Sequence, residues 1–167
     1  MAKFDVSPNM DKYSKQLQEL YQTAPEMIAE AVREGANPVA DEIRARLDVL
    51  PTDDRFVYVH LGERLKGPRT KQKQGLQHTL GISPIRDDNG YINLKIGFSG
   101  YNLLKTYSYP KGQPNPMIAA SIENGTSYMQ ANPFILRSVR KKKKKSVDIM
   151  NNSINSWVNR LMNQQTK

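Results

Sequence analysis

The sequence predicts an α+β fold: N-terminal helices, a small antiparallel β-sheet with long loops, and a long C-terminal α-helix. Three observations carry this reading. Apolar residues recur at three- and four-residue steps at both ends of the chain, Asn89-Gly90 sits between short alternating segments in the middle, and Gly/Pro/Lys-rich stretches separate the two regimes. At 167 residues, 38% hydrophobic and 25% charged, the chain is expected to be a single domain over 1–167.

The first part, 9–50, reads as helical because Leu17, Leu20, Tyr21, Ala24, Met27, Ile28, Ala31 and Val32 form one stripe. Thr23-Ala24-Pro25-Glu26 has the form of a capping box with proline in the first turn, so one helix is expected to end near Tyr21 and another to start at Thr23. Gly35 and Asn37-Pro38 interrupt the pattern again, which predicts a kink or two abutting helices before Pro51. The sheet is expected over 56–124. Phe56 to Leu61 has strand composition, and Leu76 to Ile85 and Tyr91 to Phe98 read as strands joined through Asp87-Asp88-Asn89-Gly90. Two loops interrupt it: a basic one over 62–75, and a Tyr/Pro-rich one over 99–116 containing Tyr101, Tyr107 and Tyr109. Tyrosines there suit a partner surface or a cover for the sheet edge. Met117 to Glu123 reads as a further strand or an alanine-rich turn. The C-terminal helix is expected over 133–163, with Val147, Met150, Ile154, Trp157, Val158 and Leu161 as its apolar stripe.

Composition excludes several chemistries. The chain has no cysteine, hence no disulfide, thiolate nucleophile or Cys-type metal site. The two histidines, His60 and His78, lack neighbours at ligand spacing, so no metal or cofactor is expected. The carboxylates are scattered along helices and turns, and Gly97-Phe98-Ser99-Gly100 lacks the spacing of a phosphate cradle. These features predict a protein that is not an enzyme. No apolar run reaches the roughly 18 residues of a membrane span, and the N-terminus lacks a signal-peptide core, so retention in a cytoplasm without membrane contact is the expectation.

The formal charge is +9, and Lys141 to Lys145 supply five of those units. On a helix five consecutive lysines point in every direction, so the run reads either as a solvated, self-repelling stretch or as an electrostatic contact with phosphates or an acidic partner. Arg137 and Arg140, one turn earlier, extend one face. Arg64, Lys66, Arg69, Lys71 and Lys73 in the basic loop carry the same ambiguity. These, with Lys141, Lys142, Lys143, Lys144 and Lys145, are the candidates for contact with DNA or an acidic partner. No aromatic residue interleaves the lysine run, which disfavours stacking on single strands.

One segment is more specific. Ala119-Ala120-Ser121-Ile122-Glu123-Asn124-Gly125-Thr126-Ser127, followed by Ala131-Asn132-Pro133-Phe134-Ile135, resembles the signature of the tail-component and neck-protein family of long-tailed bacteriophages. In that family a strand ends in Glu-x-Gly-Thr, and an Ala-x-Pro-Phe motif opens the C-terminal helix. Glu123, Gly125 and Thr126 match the first part; Ala131, Pro133 and Phe134 match the second. The resemblance spans roughly 31–160 but is sharp only over 118–136. Two departures stand out: a long insertion between Pro51-Thr52 and Gly75-Leu76, and the lysine run itself.

The resemblance implies a structural virion protein at the head–tail junction, assembled in the host cytoplasm. It would form a homo-oligomeric ring, six- or twelve-fold, that completes the tail, joins it to the head and lets the genome pass. Its partners would be itself, the neighbouring head-completion and tail-terminator or tail-tube proteins, and, without sequence readout, genomic DNA. A tail-terminator or head-closure subunit shares this geometry. The competing expectation is a basic, sequence-nonspecific DNA-binding protein. On the residues alone, Gly125 can take the positive φ of a sharp turn, Glu123 and Thr126 can bond to backbone amides, Pro133 can preset the helix start and Phe134 can anchor it.

Overall fold

The computed structural model describes residues 8–55 and 63–164. The expected strand Phe56 to Leu61, and His60 with it, lie outside the described residues. The architecture is α+β: two long helices packed antiparallel, two short helices and a small antiparallel β region at one end.

The first helix, α1 (Pro8–Asp48), runs unbroken for 41 residues, about 60 Å at 1.5 Å per residue. The breaks expected at Thr23 and at Gly35 to Pro38 do not occur. Thr23 does not cap a new helix; its hydroxyl donates back to the carbonyl of Glu19 at 3.0 Å, one turn earlier. Gly35 is a point of close approach, because a Cβ there would overlap the side chain of Met150. The partner helix therefore carries α1 across both prolines, since tertiary packing outweighs local propensity.

Two further expectations fail in the middle of the chain. Part of the basic loop and of the strand predicted from Leu76 is instead α2 (Thr70–Thr79), whose Leu76 is fully buried. The strand or turn expected over Met117 to Glu123 is α3 (Asn115–Asn124), which buries Asn115, Ile118, Ala119 and Ile122 on one side. That spacing is helical, and Pro114 and Pro116 open the first turn.

The hairpin forms around Asn89-Gly90. β1 (Leu80–Ile82) pairs with β4 (Ile96–Phe98), Leu80 opposite Phe98. β2 (Arg86–Asp88) pairs with β3 (Tyr91–Asn93), Asp88 opposite Tyr91. Positive φ at Asn89 (57°) and Gly90 (86°) makes the tight turn that matches strand twist. The two ladders differ by one residue in register: Pro84 and Ile85 lie across from Leu94 alone. Proline cannot donate to a ladder, so the extra residue is absorbed there as a bulge.

The core gathers Ile43, Leu47 and Leu50 of α1 with Leu65, Leu76, Leu80, Ile118, Ile122, Met129 and Phe134. Phe134 opens α4 (Phe134–Gln164). The distal halves of α1 and α4 extend beyond this core as a two-helix arm, with an apolar groove near its end lined by Leu17, Leu20, Val158 and Leu161.

The Tyr/Pro-rich segment is irregular but fastened. Asn102 and Asn115, both buried, bond side chain to side chain at 3.2 Å. Asn102 also donates to the Gln72 carbonyl, and Asn115 to that of Ser99. Leu103 and Tyr107 project from this segment almost fully exposed.

Candidate functional site

The residues that match the two motif halves converge on the junction between α3 and α4. α3 stops at Gly125, whose φ of 74° turns the chain away from the helix. A Cβ at Gly125 would stand 2.8 Å from the backbone nitrogen of Ala131, so the left-handed φ and the closeness of the returning chain both demand glycine. Thr126 then closes a tight loop. Its amide donates to the Met129 carbonyl at 2.9 Å, and its hydroxyl accepts the Met129 amide at 3.1 Å. The loop is stitched to the segment before α2: Leu65 donates to Tyr128 at 2.7 Å and Gln130 donates to Leu65 at 3.0 Å.

Glu123 is the keystone. Its two carboxylate oxygens accept the amides of Ile135 and Leu136, each at 2.8 Å. These are first-turn N–H groups of α4 with no intrahelical acceptor, and a negative charge there also complements the helix dipole. Asn132 donates to the Ile122 carbonyl at 2.7 Å, so the end of α3 and the start of α4 are locked together. Pro133 flanks the helix and its carbonyl accepts from Arg137. Phe134 is 1% exposed and stacks obliquely on Phe98 of the hairpin, ring centroids 6.1 Å apart.

The candidate basic residues divide by task. Lys73 is structural: its ammonium donates to the carbonyls of Asp48 and Leu50, at 2.8 and 2.9 Å, and so ends α1. Lys141 and Lys142 reach back to the buried Glu42 of α1, at 2.9 and 3.5 Å, where Arg46 also bonds. The hydrogen bond from Lys141, more than any other contact, holds the Glu42 carboxyl below its ordinary range. Two members of the lysine run thus tie the long helices together within the molecule. Lys143 borders an apolar groove between α1, α4 and β3. Arg137, Arg140 and Lys144 are exposed on α4, and Arg64, Lys66 and Lys71 are exposed before or within α2.

Two carboxylates just after Pro51 hold the segment before α2 in place. Asp53 is buried and accepts a two-pronged bond from the Arg55 guanidinium, 2.9 Å at each prong, together with the Lys66 amide. The Arg55 bond is the chief reason its carboxyl lies far below the usual range. Asp54 accepts the amide and hydroxyl of Thr70, at 2.9 and 2.6 Å, capping α2, and its carboxyl is lowered by the same hydroxyl bond. The only local sign of this was an Asp pair sixteen residues from the helix it caps.

Beside these caps lies a cleft of about 380 Å³ whose lining includes Arg55, Arg69, Gln72, Lys105 and Tyr128 over Leu65, Ile118 and Met129. Among the described residues no carboxylate or imidazole lines it. Among the described residues no group of three His, Asp or Glu side chains could hold a metal ion. No protein-family model, curated protein or solved structure matches this chain.

Proposed function

We propose that this chain is a structural, non-enzymatic subunit of a tailed-phage virion, forming a homo-oligomeric ring that completes the tail and joins it to the head. The observation that carries the reading is the α3–α4 junction. The residues that resemble the phage neck signature are the ones that fasten it: Glu123 on two helix amides, Gly125 in the left-handed turn, Thr126 closing the loop and Phe134 in the core. The signature asks for a strand before Glu-x-Gly-Thr, whereas here a helix, α3, leads into it. The chemistry of the turn is unchanged, because it needs only an acceptor, a positive φ and a helix start.

The shape supports an assembly role. The arm of α1 and α4 exposes Tyr13, Leu17, Tyr21 and Met162, and the fastened loop exposes Leu103 and Tyr107. Such surfaces are costly on a lone monomer and suit contacts with neighbours in a ring or along a tail. Sedimentation of the purified chain, followed by electron microscopy of the oligomers or of the native virion, tests the proposal. Closed rings with an open bore are expected; a chain monomeric at all concentrations would sink it.

The rival, a nonspecific DNA-binding protein, draws on α4, in which eight cations face the single carboxylate Asp148. It predicts retention of duplex DNA by the monomer, with most affinity lost between about 50 and 200 mM salt.

A further inference from the structure

Charge is segregated between the two long helices. α1 carries eight carboxylates against five cations, whereas α4 carries eight cations against one carboxylate. Part of this is neutralised inside the molecule, where Glu42 meets Lys141, Lys142 and Arg46. The rest is not. Arg137, Arg140 and Lys144 are exposed, make no ion pair among the described residues, and fall at steps of three and four, which puts them on one face of α4. That face points away from α1, because Ser138, Ser146 and Ser153 on the other side of the helix are the buried positions. On α1, Glu26 and Glu34 are exposed and without ion pairs, and Asp41 continues their stripe, paired with the exposed Arg44; Lys142 and Lys145 of α4 border the groove that Glu34 and Asp41 line, too far for an ion pair with either. This stripe lies on the flank opposite Val32, Val39 and Ile43, which face the groove beside the hairpin.

We infer that copies of this chain join head to tail through these two stripes, the Arg137–Arg140–Lys144 face of one α4 seated on the Glu26–Glu34–Asp41 flank of the next α1. The inference rests on the ring reading and names the contact that would build it. The spacing fits. Arg137 to Lys144 and Glu34 to Asp41 are each seven residues, about 10.5 Å along a helix, so two cations and two carboxylates fall in register. The stripes occupy different sides of the molecule, so one contact cannot engage both stripes of both copies at once. Each copy then offers a basic face to one neighbour and an acidic flank to the other, the heterologous arrangement that forms a ring when the rotation between successive copies closes. The complementarity sets register and partner choice, and it excludes the like-charged pairings of α4 on α4 and α1 on α1.

Charge-swapped full-length chains test this by sedimentation velocity. Arg140→Glu with Lys144→Glu leaves a chain acidic on both surfaces; Glu26→Lys with Glu34→Lys leaves one basic on both. Each variant alone should need at least about tenfold more protein than the wild type to assemble. An equimolar mixture of the two should assemble again, because every junction then pairs opposite signs, and that recovery also shows that both variants fold. Assembly of either variant at wild-type concentrations, or a mixture that stays dissociated, would overturn the inference while leaving the ring itself standing. If the first variant still assembles but no longer retains a 30-base-pair duplex, the α4 face is a phosphate surface and the inference is again overturned. A wild-type chain that never assembles removes the ring reading first.

Discussion

Replacing Phe134 by alanine tests the junction at its deepest point. The ring is 1% exposed and leans on Phe98 at 6.1 Å and 55°. Burial of such a side chain contributes about 1.5–3 kcal/mol, and a tilted aromatic pair adds about 0.5–1.5 kcal/mol. With the cavity left in the core, the expected loss is about 3–5 kcal/mol. For a chain of this length each kcal/mol lowers the midpoint by about 2–4 °C, so Tm should fall by about 6–20 °C. Thermal and urea unfolding followed by circular dichroism measure it, with Leu103→Ala as the control. Leu103 is 89% exposed, and its truncation should change stability by less than about 0.5 kcal/mol. A Phe134→Ala loss below about 1 kcal/mol would refute the argument that this ring anchors α4 to the hairpin.

Glu123→Ala strips two acceptors from the first turn of α4 and should cost about 1–2 kcal/mol, read as a lower urea midpoint. Lys73→Met keeps most of the aliphatic stem but leaves the Asp48 and Leu50 carbonyls without their donor; about 0.5–1.5 kcal/mol should be lost, and equality with wild type would deny Lys73 its capping role. Glutamine at all five positions from Lys141 to Lys145 should leave helix content and cooperative melting intact, with Tm lowered because Glu42 loses two partners; failure to fold would show that the run holds the helix pair together. Acid should destabilise the chain, and the sign follows from the lowered carboxyls of Asp53, Asp54 and Glu42. Above the ordinary carboxylate range these groups are ionised whether folded or not, and their bonds contribute fully. As pH falls below that range, the unfolded chain takes up protons that the folded one resists, so stability drops. Asp53→Asn should flatten the Tm profile between about pH 5 and 2.

Much of the fold was legible. The C-terminal helix shows in its apolar stripe, and the hairpin shows in Asn89-Gly90. α3 was open to discovery too, since Ile118, Ala119 and Ile122 are spaced as a helix face. The expectation there was a strand or an alanine-rich turn, and the resembling signature places a strand before Glu-x-Gly-Thr. α2 was hidden by composition: its only buried side chain is Leu76, so no apolar period marks it. Of the candidate site, the turn chemistry of Gly125, Thr126 and Pro133 could be read locally, because each acts on residues within a few positions of itself. The asparagine pair that fastens the Tyr-rich segment could not, since Asn102 and Asn115 reach carbonyls as far away as Gln72.

By itself the amino-acid order settled what depends on neighbours along the chain: helix periodicity, the hairpin turn, the lack of thiols and the crowding of cations in one segment. Tertiary structure decided what depends on neighbours in space. It carried α1 across two prolines, because packing on α4 outweighs the local cost of interrupting a helix. It also assigned the charges. Lys73 caps a helix, Lys141 and Lys142 serve Glu42, and Arg137, Arg140 and Lys144 remain outward. Identical lysines come to hold different tasks because a charge acts on whatever lies within a few ångströms, and only folding brings those groups near.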